Sequence, residues 1–300
     1  MYIVYYHNVI DGPIDAYDRK LGRLSKKNFE KQVDFITKRL RAVALPSMLD
    51  RFEHDTVAFT FDDGFRGVLD HAFPVLAARG IPASVFVVTN RIESSGDEIF
   101  HFDELELAFR LTQRRRYLRF DFLGPLPHPM FSPVGRRYTL KRIKNKLKVL
   151  PEDERRHWHA RILDALDVTP DASRAHARSL DKFRTLSRAD LQKLIDAGWT
   201  VGSHTRTHRT LSRLPADELH DEIAGSRADL ERFLGLHEIA LAYPYGGSEH
   251  INAGVRDEAS RAGFTCALTT IPGTNSRDVD RYALRRMKFA ELRKALSRRA

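Results

Sequence analysis

The sequence carries one cysteine in 300 residues, Cys266. A lone thiol forms no internal disulfide, so a disulfide-stapled scaffold and a cysteine-ligated zinc site are both excluded. No run approaches the ~18 consecutive apolar residues of a membrane-spanning helix. The opening stretch MYIVYYHNVIDGP has no positive n-region and no apolar h-region of a secretory signal. The expectation is a cytoplasmic protein, with membrane association left to its charged segments. Internal repeats and low-complexity tracts are absent, and no phosphate-loop pattern surrounds Gly246-Gly247. Core material is not lacking: 42% hydrophobic and 10% aromatic content exclude disorder as the main state.

What is present alternates between strand and helix patterns. Phe29, Val33, Ile36 and Leu40 recur at helical spacing behind Ser25, which predicts a capped helix over 26–40. Residues 56–61 read as a strand entering Asp62-Asp63-Gly64, 68–78 as a helix closed by Gly80, and 82–89 as the next buried strand. The alternation resumes after 185, with strands at 199–202, 238–243 and 264–269 and helices at 187–198, 215–234 and 250–262. Such grammar predicts an α/β fold with a parallel sheet. Residues 92–184 depart from it. Pro125, Pro127, Pro129 and Pro133 make 121–133 irregular, and helical patterns cover 102–112, 139–149 and 152–166. That stretch reads as a basic, largely helical insertion within a single domain spanning 1–300.

Two constellations sit at strand ends, where βα loops carry active sites. Asp62 and Asp63 are adjacent carboxylates that perturb each other's ionisation, suiting one to bind a metal and the other to act as a base. Alone, an Asp-Asp-Gly turn is equally a structural turn. His204 and His208 follow another strand four residues apart; on one helical turn both rings would share a face and chelate one divalent ion. Together they describe hydrolysis by a metal-activated water, a spare carboxylate taking the proton.

Residues 57–92 (VAFTFDDGFRGVLDHAFPVLAARGIPASVFVVTNRI), 200–211 (TVGSHTRTHRTL) and 242–247 (AYPYGG) resemble the NodB-homology polysaccharide deacetylases, carbohydrate esterase family 4. The resemblance covers about residues 1–92 and 185–290. It implies an α/β fold, a distorted (β/α) barrel carrying the helical insertion. The activity it implies is removal of N- or O-acetyl groups from sugars with a divalent cation. Zinc is the first expectation, with cobalt, manganese, nickel or iron as alternatives. By position, Asp63, His204 and His208 match the metal ligands and Asp62 the catalytic base. Pro244-Tyr245 matches the motif whose tyrosine backbone N–H helps bind the developing oxyanion, a donor worth roughly 3 kcal/mol in comparable sites.

The sequence departs from the family pattern three times. Ala242 stands where an arginine usually pairs with the base, no tryptophan follows Tyr245, and Leu284-Arg285-Arg286 occupies the region of the usual Leu-x-His acid motif. Tyr6-His7-Asn8-Val9 resembles the opening of a permuted branch of the family, in which the first strand brings a histidine into the site. His7 is therefore the candidate acid for the leaving amine, and Arg286 the candidate to hold Asp62. The expected substrate is an N-acetylated sugar in an oligosaccharide, polysaccharide or lipid-linked form. The alternatives are a non-catalytic carbohydrate-binding member and a hydrolase of a non-sugar amide.

Net charge is +10, from 50 Lys and Arg against 40 Asp and Glu. Residues 110–148 carry +11 and residues 285–300 carry +6, which leaves the remainder at −7. The basic balance thus belongs to the insertion and to what reads as a C-terminal tail. Those two segments are candidates to meet an anionic substrate or a membrane surface, and a nucleic-acid partner is not expected.

Overall fold

Parallel pairing brings the C-terminal ends of several short strands to one rim. The computed structural model describes every residue except 16, 17, 20, 21, 94–98, 179, 299 and 300. Its strands are β1 (Tyr2–Tyr6), β2 (Val9–Ile10), β3 (Leu24–Ser25), β4 (Arg41–Ala42), β5 (Thr56–Phe61), β6 (Ala83–Val87), β7 (Thr200–Ser203), β8 (Leu241–Ala242) and β9 (Ala267–Leu268). β2 and β3 pair with each other. The other seven form one sheet in the order β1-β5-β6-β7-β8-β9, with β4 also on β5, and every pairing in it is parallel. Residues 284–287 close the ring, because Leu284 bridges Leu268 and Met287 bridges Val4. The Met287 N–H donates to the Ile3 carbonyl at 2.9 Å, and the Thr269 N–H to the Leu284 carbonyl at 2.8 Å. The result is the expected distorted (β/α) barrel.

Strand alternation sorts the side chains into two layers. Tyr2, Val4, Tyr6, Val57, Phe59, Phe61, Val85 and Val87 pack outward under the helices. Ile3, Ala58, Phe86, Ala242, Cys266, Leu268 and Leu284 fill the inside, together with Leu45, Met48 and Leu49 from the Leu45–Arg51 helix. Cys266 is thus a buried small hydrophobe whose thiol burial pushes up to about 12. A Cβ on Gly202 would lie 2.5 Å from the Phe86 ring and 2.7 Å from the Ala240 carbonyl, so only glycine lets this ring fill the interior at that level.

Several elements differ from the sequence pattern. Ser25 caps the Lys26–Thr37 helix and a capping box opens Arg188–Asp196, as their sequences predict. Strands β8 and β9 are two residues each rather than six. The long helix expected over 215–234 is broken by a π turn, Asp221–Gly225, between Ala216–His220 and Ser226–Leu234. In the basic segment, Arg286 is fully buried inside the barrel and the Phe289–Ser297 helix packs Leu292 into the outer apolar layer, while Arg285, Lys288, Arg293, Lys294 and Arg298 are exposed. Arg299, part of that basic segment, lies outside the described residues.

The chain divides into two compact units, Met1–Gly96 with Thr185–Ala300, and Asp97–Arg184. The first holds the barrel. The second contains the helices His101–Leu111, Pro133–Leu147, Glu152–Ala165 and Pro170–Arg178, and its apolar residues include the buried cluster of Leu107, Ala177 and Phe183. It covers most of the stretch that departs from strand–helix alternation. Among the described residues, no helix is long and apolar enough to cross a membrane.

Candidate active site

Asp62 follows the last residue of β5 and continues the inward face of Ala58 and Thr60. Its two carboxylate oxygens accept from Arg286 at 2.7 and 2.8 Å, and the Arg286 Nε donates to the Thr269 carbonyl at 2.8 Å. The guanidinium also lies 4.9 Å from the Tyr5 ring centroid. Burial by itself would raise the Asp62 carboxyl, but the charges of Arg286 and His204 outweigh it and hold the group below its usual range. Arg286 arrives from the segment that closes the barrel. His7 follows β1, whose Tyr6 pairs with Phe61, so His7 and Asp62 emerge level on the rim. Gly22 lies against the His7 ring: at its φ of +72°, a Cβ would sit 2.9 Å from His7 Nδ1.

Asp63 leaves the strand with φ +71°, a conformation that L residues adopt rarely. Its Oδ1 lies 3.5 Å from His204 Nε2 and 3.4 Å from His208 Nε2, and all three residues are buried. The three ligand atoms fall within 4.8 Å of one another. Ligands each about 2.0–2.1 Å from a tetrahedral ion stand about 3.4 Å apart, so this donor set fits one divalent cation. His204 Nδ1 is 2.7 Å from the Ala242 carbonyl; donation there turns Nε2 toward Asp63, the usual support for a ligating imidazole. Burial works against the Asp63 anion, yet the two imidazoles beside it, His204 and His208, hold its carboxyl well below the usual range. Asp62 stands outside this donor set.

The histidine pair does not lie on a helical turn. Residues 204–208 form a loop in which Thr205 (φ +65°) and His208 (φ +63°) are both left-handed. The rings converge with centroids 5.0 Å apart because the loop folds back. What holds it is a set of acids that motif reading passes over. Buried Glu222 accepts from the Arg206 N–H at 3.1 Å, the Thr207 N–H at 2.9 Å and the Thr207 hydroxyl. Asp229 accepts from Arg206 Nε at 3.1 Å and from the Thr89 hydroxyl at 2.8 Å. Glu222 sits in the π turn, a feature frequent near functional sites, and nothing in its local sequence marks it.

Tyr245 is left-handed too, at φ +62°, and its ring packs edge-on against His208 at 5.0 Å. The Thr270 hydroxyl donates to its carbonyl at 2.7 Å, and the His250 ring centroid lies 5.2 Å from that of Tyr245. Among the described residues, four of the seven non-glycine residues with positive φ, Asp63, Thr205, His208 and Tyr245, lie at one rim. Strain of this kind collects at functional sites. Asp62, Asp63, His204, His208, Tyr245, His7 and Arg286 all converge there.

This barrel and rim belong to the polysaccharide deacetylase family, whose sequence profile matches residues 50–107 and 168–267. The family's members are hydrolases acting on carbon–nitrogen bonds other than peptide bonds. Among curated proteins, "Putative polysaccharide deacetylase YxkH" of Bacillus subtilis (strain 168) is 26% identical over 113 residues, a match spanning 38% of this chain and 39% of that protein. Among solved structures, IcaB from Ammonifex degensii superposes with a TM-score of 0.59 at 18% identity, covering 97% of this chain and 94% of its own. The Streptococcus pyogenes deacetylase PplD, solved in complex with acetate, gives 0.60 at 15% identity, covering 98% and 96%. At these identities the two structures speak for the fold.

Proposed function

We propose that the protein is a metal-dependent hydrolase that removes N-acetyl or O-acetyl groups from an amino-sugar-containing oligosaccharide, polysaccharide or lipid-linked sugar. The observation that carries this reading is the spacing of Asp63, His204 and His208 beside a separately held Asp62. Asp63, His204 and His208 would hold a divalent ion, zinc or else cobalt, manganese, nickel or iron, which would supply a Lewis acid and lower the pKa of water. Asp62 takes the proton of the attacking water, and the two-pronged pair with Arg286 fixes its orientation and keeps it ionised. The Tyr245 backbone N–H serves the oxyanion that develops on the acetyl carbonyl. His7, level with Asp62 across β1 and β5, delivers a proton to the leaving amine.

A non-catalytic reading rests on Ala242 replacing the family's arginine. The Arg286 guanidinium beside Asp62 supplies what that position lacks and favours the catalytic reading. The test is acetate release from N-acetylated chitooligosaccharides and lipid-linked N-acetylglucosamine, with and without chelator. Release that stops with chelator and returns with added zinc, cobalt or manganese is expected. No acetate from any acetylated sugar by metal-loaded protein would overturn the proposal.

A further inference from the structure

Among the described residues, six large hydrophobic side chains are exposed, and all lie within residues 117–149: Tyr117, Leu126, Phe131, Val134, Tyr138 and Val149, each 48–72% exposed. Exposed apolar residues scattered singly are ordinary; a set confined to one segment of one unit is not. The same stretch holds most of the chain's excess positive charge, with Asp121 its single acid.

The two features run through the same segment. The backbones of Leu118 and His128 pair antiparallel, with N···O distances of 2.9 and 2.8 Å, and the rings of Tyr117 and Phe131 meet edge to face at 5.4 Å. The Pro133–Leu147 helix follows, burying Thr139, Leu140, Ile143 and Leu147 on one side. Its outward side presents Val134, Tyr138 and Lys141 at helical spacing, flanked by Arg142 and Lys146. No carboxylate pairs with Arg116, Arg119, Lys141, Arg142 or Lys146 among the described residues. Arg142 instead reaches the Tyr138 hydroxyl at 3.1 Å and the Leu123 carbonyl at 3.2 Å.

We propose that this face of the Asp97–Arg184 unit docks on an anionic phospholipid surface. Aromatic and aliphatic tips interleaved with unpaired Lys and Arg suit the headgroup boundary, where the tips enter and the cations meet phosphate. A protein interface concentrates apolar residues in a centre depleted of charge, whereas here Arg142 lies 5.9 Å from the Tyr138 ring centroid, and Lys141 and Lys146 are exposed on the same helix as Val134 and Tyr138. A nucleic acid would use the cations and the aromatic faces but has no use for Leu126 and Val134. The proposal stands independently of the deacetylase reading.

Its test is co-sedimentation of the full chain with phosphatidylcholine vesicles, with and without phosphatidylglycerol, beside a duplex-DNA binding assay. Binding is expected only when phosphatidylglycerol is present, and it weakens as salt rises. Leu126→Ser with Phe131→Ser should lower vesicle affinity at least about tenfold. Lys141→Glu with Lys146→Glu should lower it about fivefold or more per charge. Asp62→Asn should bind like the wild type. No vesicle binding, vesicle binding that ignores the serine pair, or DNA binding without vesicle binding would each overturn the proposal.

Discussion

Arg286 and Asp62 lie 224 positions apart and form a two-pronged ion pair with neither side chain more than 2% exposed. The pair joins the segment that closes the barrel to the end of β5, so closure of the ring and placement of the carboxylate are one event. Arg286→Met leaves a buried carboxylate without its partner, which costs about 3–5 kcal/mol of stability, measurable by denaturant unfolding.

The same substitution moves the pH profile. In the wild type the Asp62 carboxyl is held below its usual range, so the base form is present above about pH 4 and is lost as pH falls through the lowered value. With Arg286 gone, burial acts with one less opposing charge and the carboxyl rises. The acid limb of kcat/KM should therefore shift to higher pH in Arg286→Met and by less in Arg286→Lys, which keeps a charge without the fork. An acid limb unchanged in both variants would remove Arg286 from the positioning of the base.

Divalent metal should stabilise the fold through the three ligands. At a hundredfold excess of free ion over its Kd the gain is about 2.7 kcal/mol, seen as a rise in Tm that chelator reverses. Asp63→Asn and His208→Ala should each lose that rise.

Glu222→Gln tests the support of the histidine loop. The amide has one acceptor oxygen where the carboxylate offers two, and Glu222 receives three donors from Arg206 and Thr207. Metal affinity should fall about 10–100-fold, read by competition with a chromophoric chelator, with little change in global stability.

Gly202→Ala places a methyl against the Phe86 ring and the Ala240 carbonyl. The ring is fully buried, and overpacking of this kind costs about 1–3 kcal/mol. Chemical denaturation should show the loss, and Phe86→Leu in the same chain should recover part of it.

Much of the site is legible in the sequence because its chemistry is local. Asp62-Asp63 after a β-rich run and two histidines four apart after another each announce a rim residue. The spacing of four misleads about conformation, since a helical turn and the left-handed loop at Thr205 and His208 both produce it. Arg286 is legible only through the arginine missing at Ala242. The ring closure is not legible, because single bridging residues such as Leu284 and Met287 carry no period-2 run. β8 and β9 are two residues each where the apolar runs suggest six, although flanking residues still bond to their neighbours, as the Tyr243 N–H does to the Leu268 carbonyl and the Thr265 N–H to the Ile239 carbonyl. Glu222 stays hidden because its partners are backbone N–H groups of a distant loop.

The most direct test of the account compares acetate release and bound-metal stoichiometry in the wild type and in Asp62→Asn. The geometry separates the two functions, with Asp62 outside the donor set of Asp63, His204 and His208. Metal should be retained at the wild-type level while acetate release falls about 10²–10⁴-fold. Full activity in Asp62→Asn, or loss of metal together with activity, would contradict it.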